Sequence, residues 1–65
     1  NEKDYKRAAY WFEKASDQGN AQAQYNLGMI YFNGEGVKKD YKRAAEWFSL
    51  SCNRGFKEAC LMLKN

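Results

Sequence analysis

The chain repeats itself after thirty-six residues. The segment KDYKRAA stands at 3–9 and again at 39–45, and a Trp-Phe pair follows each copy. Aligning residues 1–29 with 37–65 gives twelve identities in twenty-nine positions. Self-similarity at a period of about 20 to 50 residues is typical of repeat arrays, in which each unit packs against its neighbours. The period therefore predicts a solenoid, and a chain with fewer than two full units is expected to be a piece of a longer array.

Composition favours helices and limits the chemistry of the chain. Proline and histidine are absent, and there are two cysteines. Two cysteines without histidine leave too few ligands for zinc and no Cys-His or Ser-His nucleophile. No apolar run approaches the roughly 20 residues of a membrane helix, and a net charge of +3 does not require nucleic acid. We therefore expect no cofactor, no enzymatic activity, no nucleic-acid partner and no membrane span.

Inside each period the apolar spacing is that of a helix. In residues 40–54, positions i, i+3, i+4 and i+7 predict one buried face, made of Tyr41, Ala44, Ala45, Phe48, Ser51 and Cys52. Asp40 is placed to accept hydrogen bonds from the first turn, and Gly55 to end the helix in the left-handed conformation.

The first copy has the same features. Asp4 and Gly19 predict the two ends of an equivalent helix, and Trp11 and Trp47 are expected to widen the buried faces.

A different helix is predicted at 21–33, with an inner face of Ala23, Leu27, Ile30 and Tyr31. Gly28 inside it costs about 1 kcal/mol relative to alanine, which predicts the close approach of a neighbouring backbone. Two glycines in the loop at 33–37 predict positive φ angles and a tight reversal.

The predicted fold is all-α, an α-solenoid of antiparallel helix pairs joined by short links. We name the first helix of a repeat helix A and the second helix B. Residues 1–19 are then helix B of a preceding repeat, residues 20–55 one full repeat, and residues 56–65 helix A of the next. The helix order is B-A-B-A, about two repeats in all.

The segment from Ala21 to Gly55 resembles a Sel1-like repeat, a branch of the tetratricopeptide superfamily. The matching positions are Ala23, Leu27, Gly28, Tyr31, Gly34, Gly36, Val37, Asp40, Ala44, Ala45, Trp47 and Gly55. The resemblance implies a right-handed superhelix and a role as a scaffold or adaptor that binds a protein or peptide.

The cysteine spacing resembles that of a cysteine-rich bacterial subgroup of this family. The resemblance implies a Cys52–Cys60 disulfide and a periplasmic or secreted protein. One period earlier the equivalent residues are Ser16 and Gln24, so the two cysteines occur together. The alternative is two buried free thiols, which would fit a cytoplasmic protein.

The subgroup also supplies an alternative function, the binding or hydrolysis of β-lactams. None of the serines Ser16, Ser49 and Ser51 begins a Ser-x-x-Lys motif. The sequence therefore favours a binding module over an enzyme of this type.

In the superfamily, helix A lines the concave side of the superhelix. The residues that this relation places on a partner-binding face are Gln22, Tyr25, Met29, Phe32, Asn33, Glu58 and Leu61. An exposed stripe of aromatic residues and methionine suits a peptide or a helix. Packing between repeats is the other interpretation of Tyr25, Met29 and Phe32.

A second repeated surface is basic, and we call it the basic ridge. Its residues are Lys3, Lys6, Arg7, Lys38, Lys39, Lys42 and Arg43. An acidic partner or an anionic surface is one interpretation, and a solvated outer face is the other. Exposed repeat ends also predict self-association of such a short chain.

Overall fold

Four helices follow one another along the chain. The computed structural model describes residues 2–64, apart from the side chains of residues 2, 3 and 5. The helices are α1 (Glu2–Asp17), α2 (Ala21–Asn33), α3 (Tyr41–Asn53) and α4 (Lys57–Met62). Each helix packs against the next, and all regular secondary structure in residues 2–64 is helical. The predicted all-α helical repeat is confirmed.

Local chemistry sets the ends of α3. Asp40 has extended backbone angles, and its Oδ1 accepts from the backbone N–H of Arg43 at 3.0 Å. At the other end Gly55 has a φ of 92°, and its N–H donates to the carbonyl of Cys52 at 2.9 Å. The N–H of Phe56 donates to the backbone carbonyl of Ser51 at 3.2 Å, and these two hydrogen bonds together form a Schellman motif. Both predicted ends are confirmed.

The prediction that Asp4 caps α1 is wrong, because α1 begins at Glu2 and Asp4 lies inside its first turn. Asp40 is held outside α3 because its N–H donates to the carbonyl of Tyr31 at 2.9 Å, across the preceding loop. Glu2 and Lys3 are good helix formers, so α1 extends through them.

Asp40→Ala is expected to lower the free energy of unfolding by about 1 kcal/mol, because the first turn of α3 loses its side-chain acceptor. Urea unfolding followed by circular dichroism measures the change. Asp17→Ala is the control, since Asp17 is exposed and ends α1. An equal loss in both variants would contradict a capping role.

The core lies where α2 packs between α1 and α3. Ala9, Leu27, Ile30, Tyr31, Ala44, Phe48 and Ala59 form one buried cluster. The predicted inner face of α2 is confirmed. Three predicted contributors to the buried faces are exposed instead: Trp11 by 64%, Tyr41 by 60%, and Ala45. Among residues 2–64, no helix covers these parts of α1 and α3.

Gly28 faces the ring of Phe48 rather than a neighbouring backbone, which corrects one detail of the prediction. A Cβ atom at this position would overlap the Cδ1 and Cε1 atoms of Phe48, a side chain that is 2% exposed. The missing side chain therefore lets an aromatic ring of α3 lie directly on α2. The predicted positive φ angles in the loop are confirmed, with 71° at Gly34 and 76° at Gly36.

Gly28→Ala is expected to destabilise the chain by about 1 kcal/mol, because overlap with Phe48 outweighs the gain in helix propensity. In a Phe48→Leu background the same substitution is expected to be neutral or stabilising, since the ring is gone. A double-mutant cycle measured by urea unfolding gives the coupling. Equal effects of Gly28→Ala in both backgrounds would show that the ring contact does not require glycine.

No helix within residues 2–64 combines the length and the hydropathy needed to cross a bilayer.

Candidate functional site

An open apolar groove lies along α3. Its volume is about 410 Å³. We call it the α3 groove; it is lined by Phe32, Tyr41, Ala44, Ala45, Phe48, Leu61 and Met62. Helix α3 forms its floor, the last turn of α2 one side, and α4 one end. Helix α4 reaches only that end of the groove.

Aromatic rings define the side of the groove next to α2. The ring centre of Phe32 lies 5.2 Å from that of Tyr41 and 6.4 Å from that of Phe48. Phe32 is 39% exposed, and Leu61 across the groove is 62% exposed. Two residues of the predicted partner-binding face, one from each helix A, therefore meet at one groove.

The other predicted apolar residues lie elsewhere. Met29 lines a separate depression of about 330 Å³ with Ala8 and Phe12 of α1. Tyr25 packs inside the fold, with its ring 5.8 Å from Phe48 and 5.1 Å from Phe56. The structure thus divides the stripe of Tyr25, Met29 and Phe32 among three environments. Of the polar candidates, Gln22, Asn33 and Glu58 are exposed and do not line the α3 groove.

The basic ridge also separates into smaller sets. Lys6 and Lys38 stand beside Gly34 and Gly36, around the loop that follows α2. Lys6 therefore lies next to the C-terminal end of α2, where a cation is favourable. This position offsets the unfavourable location of Lys6 in the first turns of its own helix.

Toward α3, the Nζ atom of Lys39 lies 5.9 Å from the ring centre of Tyr41, at the edge of the groove. Lys42 and Arg43 share a polar depression with Asp40 and Glu46. Arg7 is exposed on α1. Lys3 lies in α1, with its side chain outside the described residues.

A polar contact across three helices was not anticipated from the sequence. The guanidinium of Arg43 donates to the Tyr31 hydroxyl at 3.4 Å, and that hydroxyl donates to Glu13 Oε2 at 3.5 Å. The hydrogen bond to Tyr31 raises the pKa of Arg43. Arg43 also lies 5.3 Å from the ring centre of Tyr31. One member of the basic ridge is therefore engaged in packing within the fold.

The cysteines join α3 to α4. The Cα atoms of Cys52 and Cys60 are 4.7 Å apart, and their sulfur atoms are at disulfide distance. At the equivalent junction of α1 and α2, the side chain of Gln24 donates to the carbonyl of Ser16 at 3.4 Å. The same two positions hold successive helices together in both repeats, covalently in one and by a hydrogen bond in the other. The pair is compatible with an oxidising compartment.

Ser16→Cys with Gln24→Cys is expected to form a second disulfide in the wild-type background, because these positions are the repeat equivalents of the natural pair. Gln24 is buried, and its Oε1 has no hydrogen-bond partner among the described residues. The expected gain in the free energy of unfolding is about 1 to 2 kcal/mol. Thermal unfolding with and without reductant measures it, and the single Gln24→Cys variant is the control. A double variant with no reductant-dependent gain would contradict the equivalence.

The two buried serines make hydrogen bonds within the fold. Ser16 and Ser51 are buried and donate to the carbonyls of Glu13 and Ala21, at 2.8 and 2.7 Å. The Ser16 hydroxyl thus bonds within α1, and the Ser51 hydroxyl joins α3 to α2. No group of His, Cys, Asp and Glu side chains in residues 2–64 is arranged to hold a metal ion.

The chain is a helical repeat protein of the solenoid class. Its helices pack in consecutive pairs, its sequence repeats after thirty-six residues, and an open groove lies among α2, α3 and α4. The family model of the Sel1 repeat matches residues 2–20 and 21–56, and the chain belongs to this family. Sel1 repeats are typically protein-interaction modules and are generally non-enzymatic. No curated protein matches the chain.

Proposed function

We propose that the chain is a scaffold or adaptor module that holds a protein or peptide segment in the α3 groove. The observation that carries this proposal is the meeting of exposed apolar side chains from three helices at one open groove. Phe32, Tyr41 and Leu61 are 39%, 60% and 62% exposed, and all three line it. Exposed apolar residues scattered singly need no explanation, but a concave cluster of them is typical of interaction sites.

Only two residues of the predicted partner-binding face line the α3 groove. Phe32 and Leu61 belong to the two A helices, as the prediction requires. Met29 belongs to the depression beside α1, and Tyr25 is engaged with Phe48 and Phe56. The proposal therefore assigns binding to Phe32 and Leu61, with Tyr41 and Ala45 of helix B added to them.

Selection of a random peptide library on the immobilised protein tests this function. Peptides are expected to be enriched, and Phe32→Glu is expected to weaken their binding by about tenfold or more, since a charge would enter the apolar groove. Tyr10→Glu is the matched control, because Tyr10 is an aromatic residue of α1 that is 53% exposed and lies outside the groove. Peptides that bind Phe32→Glu and the wild type equally would overturn the proposal.

We also propose an oxidising, extracytoplasmic bacterial location, on the support of the Cys52–Cys60 pair. Disulfides persist in such compartments and are rare in the cytosol. Alkylation of the native protein under non-reducing conditions, followed by mass spectrometry, tests the location. No alkylation is expected, and labelling of both cysteines would overturn the proposal.

A further inference from the structure

We infer that Asn33 is a site of spontaneous deamidation, and that opening of the last turn of α2 controls the rate of this reaction. The product that matters is isoaspartate, because it would keep the turn open. The inference goes beyond the proposed function, since it concerns a covalent change of the chain and needs only water as a co-reactant. It is carried by the residue that follows Asn33 and by the hydrogen bonds around it.

The dipeptide Asn33-Gly34 has the sequence that favours deamidation. In this reaction the backbone nitrogen of the following residue attacks the side-chain carbonyl carbon of asparagine, and a side chain on the following residue hinders the attack. Among the six asparagines of the chain, Asn33 alone precedes a glycine. Asn33 is also exposed, so water and solvent base reach its amide. The chain therefore has one favoured position for this modification.

The reaction proceeds through a cyclic imide. The N–H of Gly34 gives its proton to solvent, and its nitrogen forms a bond with Cγ of Asn33. The bond from Cγ to the side-chain nitrogen breaks, and that nitrogen takes up a proton and leaves as ammonia. Water then opens the ring. Opening at Cγ gives aspartate, and opening at the backbone carbonyl carbon gives isoaspartate, in which the main chain runs through Cβ and Cγ.

The fold engages the attacking nitrogen. Gly34 ends α2 in the left-handed conformation, with a φ of 71°, and its N–H donates to the carbonyl of Ile30 at 2.8 Å. The N–H of Glu35 donates to the same carbonyl at 3.0 Å. Attack on Asn33 therefore requires the last turn of α2 to open. Helix ends open at a free energy well below that of global unfolding, so the folded chain is expected to react during these openings.

Isoaspartate does not fit the closed turn, because it lengthens the backbone by one carbon atom. The space beside Gly34 is already filled: a Cβ atom added there would lie 3.1 Å from the Cβ of Lys39 and 3.3 Å from its backbone nitrogen. The far side of the loop is held by the N–H of Asp40, which donates to the carbonyl of Tyr31 at 2.9 Å. The longer backbone therefore displaces the cap at Gly34, and the last turn of α2 stays open.

Incubation of the full chain in mildly alkaline buffer, folded and in urea, tests the site. Peptide mass spectrometry and an isoaspartyl methyltransferase assay measure the product. Isoaspartate is expected at position 33 in both samples, about tenfold more slowly in the folded chain. Equal rates would overturn control by the turn. A folded chain without isoaspartate at this position, when the unfolded chain is fully converted, would overturn the site. Asn33→Gln is the matched control, because its amide would have to close a larger and less favourable ring, and no product is expected there.

Hydrogen exchange tests the effect of the product on α2. The isoaspartate form, separated by chromatography, is expected to lose protection at the amides of Gly34 and Glu35. Asn33→Asp is the control, because it adds the same charge without lengthening the backbone, and it is expected to keep most of this protection. Equal protection in the two forms would overturn the inferred opening of the turn. These measurements do not involve a ligand of the α3 groove, so their failure would leave the proposed function standing.

Discussion

Leu27→Ala is expected to lower the free energy of unfolding by about 2 to 5 kcal/mol. Leu27 is fully buried at the centre of α2 and belongs to a cluster that includes Ala9 of α1 and Ala44 and Phe48 of α3. Truncation leaves a cavity at the point where three helices meet. Because a chain of this size is stabilised by only about 3 to 5 kcal/mol in total, a large share of the molecules should unfold.

Thermal unfolding monitored by far-ultraviolet circular dichroism measures this loss. A change of 1 kcal/mol shifts the midpoint of so small a domain by about 4 to 8 °C, so a fall of about 10 °C or more is expected. Leu50→Ala is the control, because Leu50 is 46% exposed and the substitution removes the same atoms. Its expected effect is within about 0.5 kcal/mol. Similar losses in the two variants would show that the core is not where the repeat pattern puts it.

Features governed by local chemistry were predictable from the sequence. The ends of α3 at Asp40 and Gly55 follow from a side-chain acceptor and a left-handed residue, and both act within a few residues. The inner face of α2 follows from helical spacing alone. The order of the four helices follows from the repeat, because two segments with the same sequence pattern are expected to form the same helices.

Burial on the outer helices could not be predicted in the same way. Helical spacing shows that Tyr41, Ala45 and Phe48 share a face, but it does not show whether a neighbour covers that face. Phe48 is buried in the cluster with α2, whereas Tyr41 and Ala45 on the same helix are exposed. Their exposure depends on which helices pack on α3, and the spacing of a single helix does not contain that information.

The division of the candidate site has a similar cause. Met29 and Phe32 lie close together along α2, but α1 packs on one side of that helix and α3 on the other. Met29 consequently lines a depression with α1, and Phe32 a groove with α3. The contact of Arg43 with Tyr31 cannot be predicted from helical spacing, which places Arg43 on the basic ridge and Tyr31 in the core.

The double variant Cys52→Ser and Cys60→Ser is expected to lose about 2.5 kcal/mol of unfolding free energy, from the chain entropy of the short loop that the bridge closes. Helix α4 depends on the bridge more than the other helices do. It has six residues, and its N-cap residue Phe56 makes no side-chain cap hydrogen bond. A helix this short is not stable alone in water, so α4 should separate from α3 before the rest unfolds.

Hydrogen exchange distinguishes this local opening from global loss of stability. Amides of α4 are expected to lose their protection from exchange in the double variant. Amides of α2 are expected to lose only the part of their protection that follows from the lower free energy of global unfolding. A chemical reductant should reproduce the effect in the wild type and leave the variant unchanged, which is the internal control. Because Leu61 and Met62 close one end of the α3 groove, opening of α4 should also weaken any ligand bound there. Unchanged unfolding midpoints with and without reductant would contradict a stabilising bridge, and uniform loss of protection would contradict a role confined to α4.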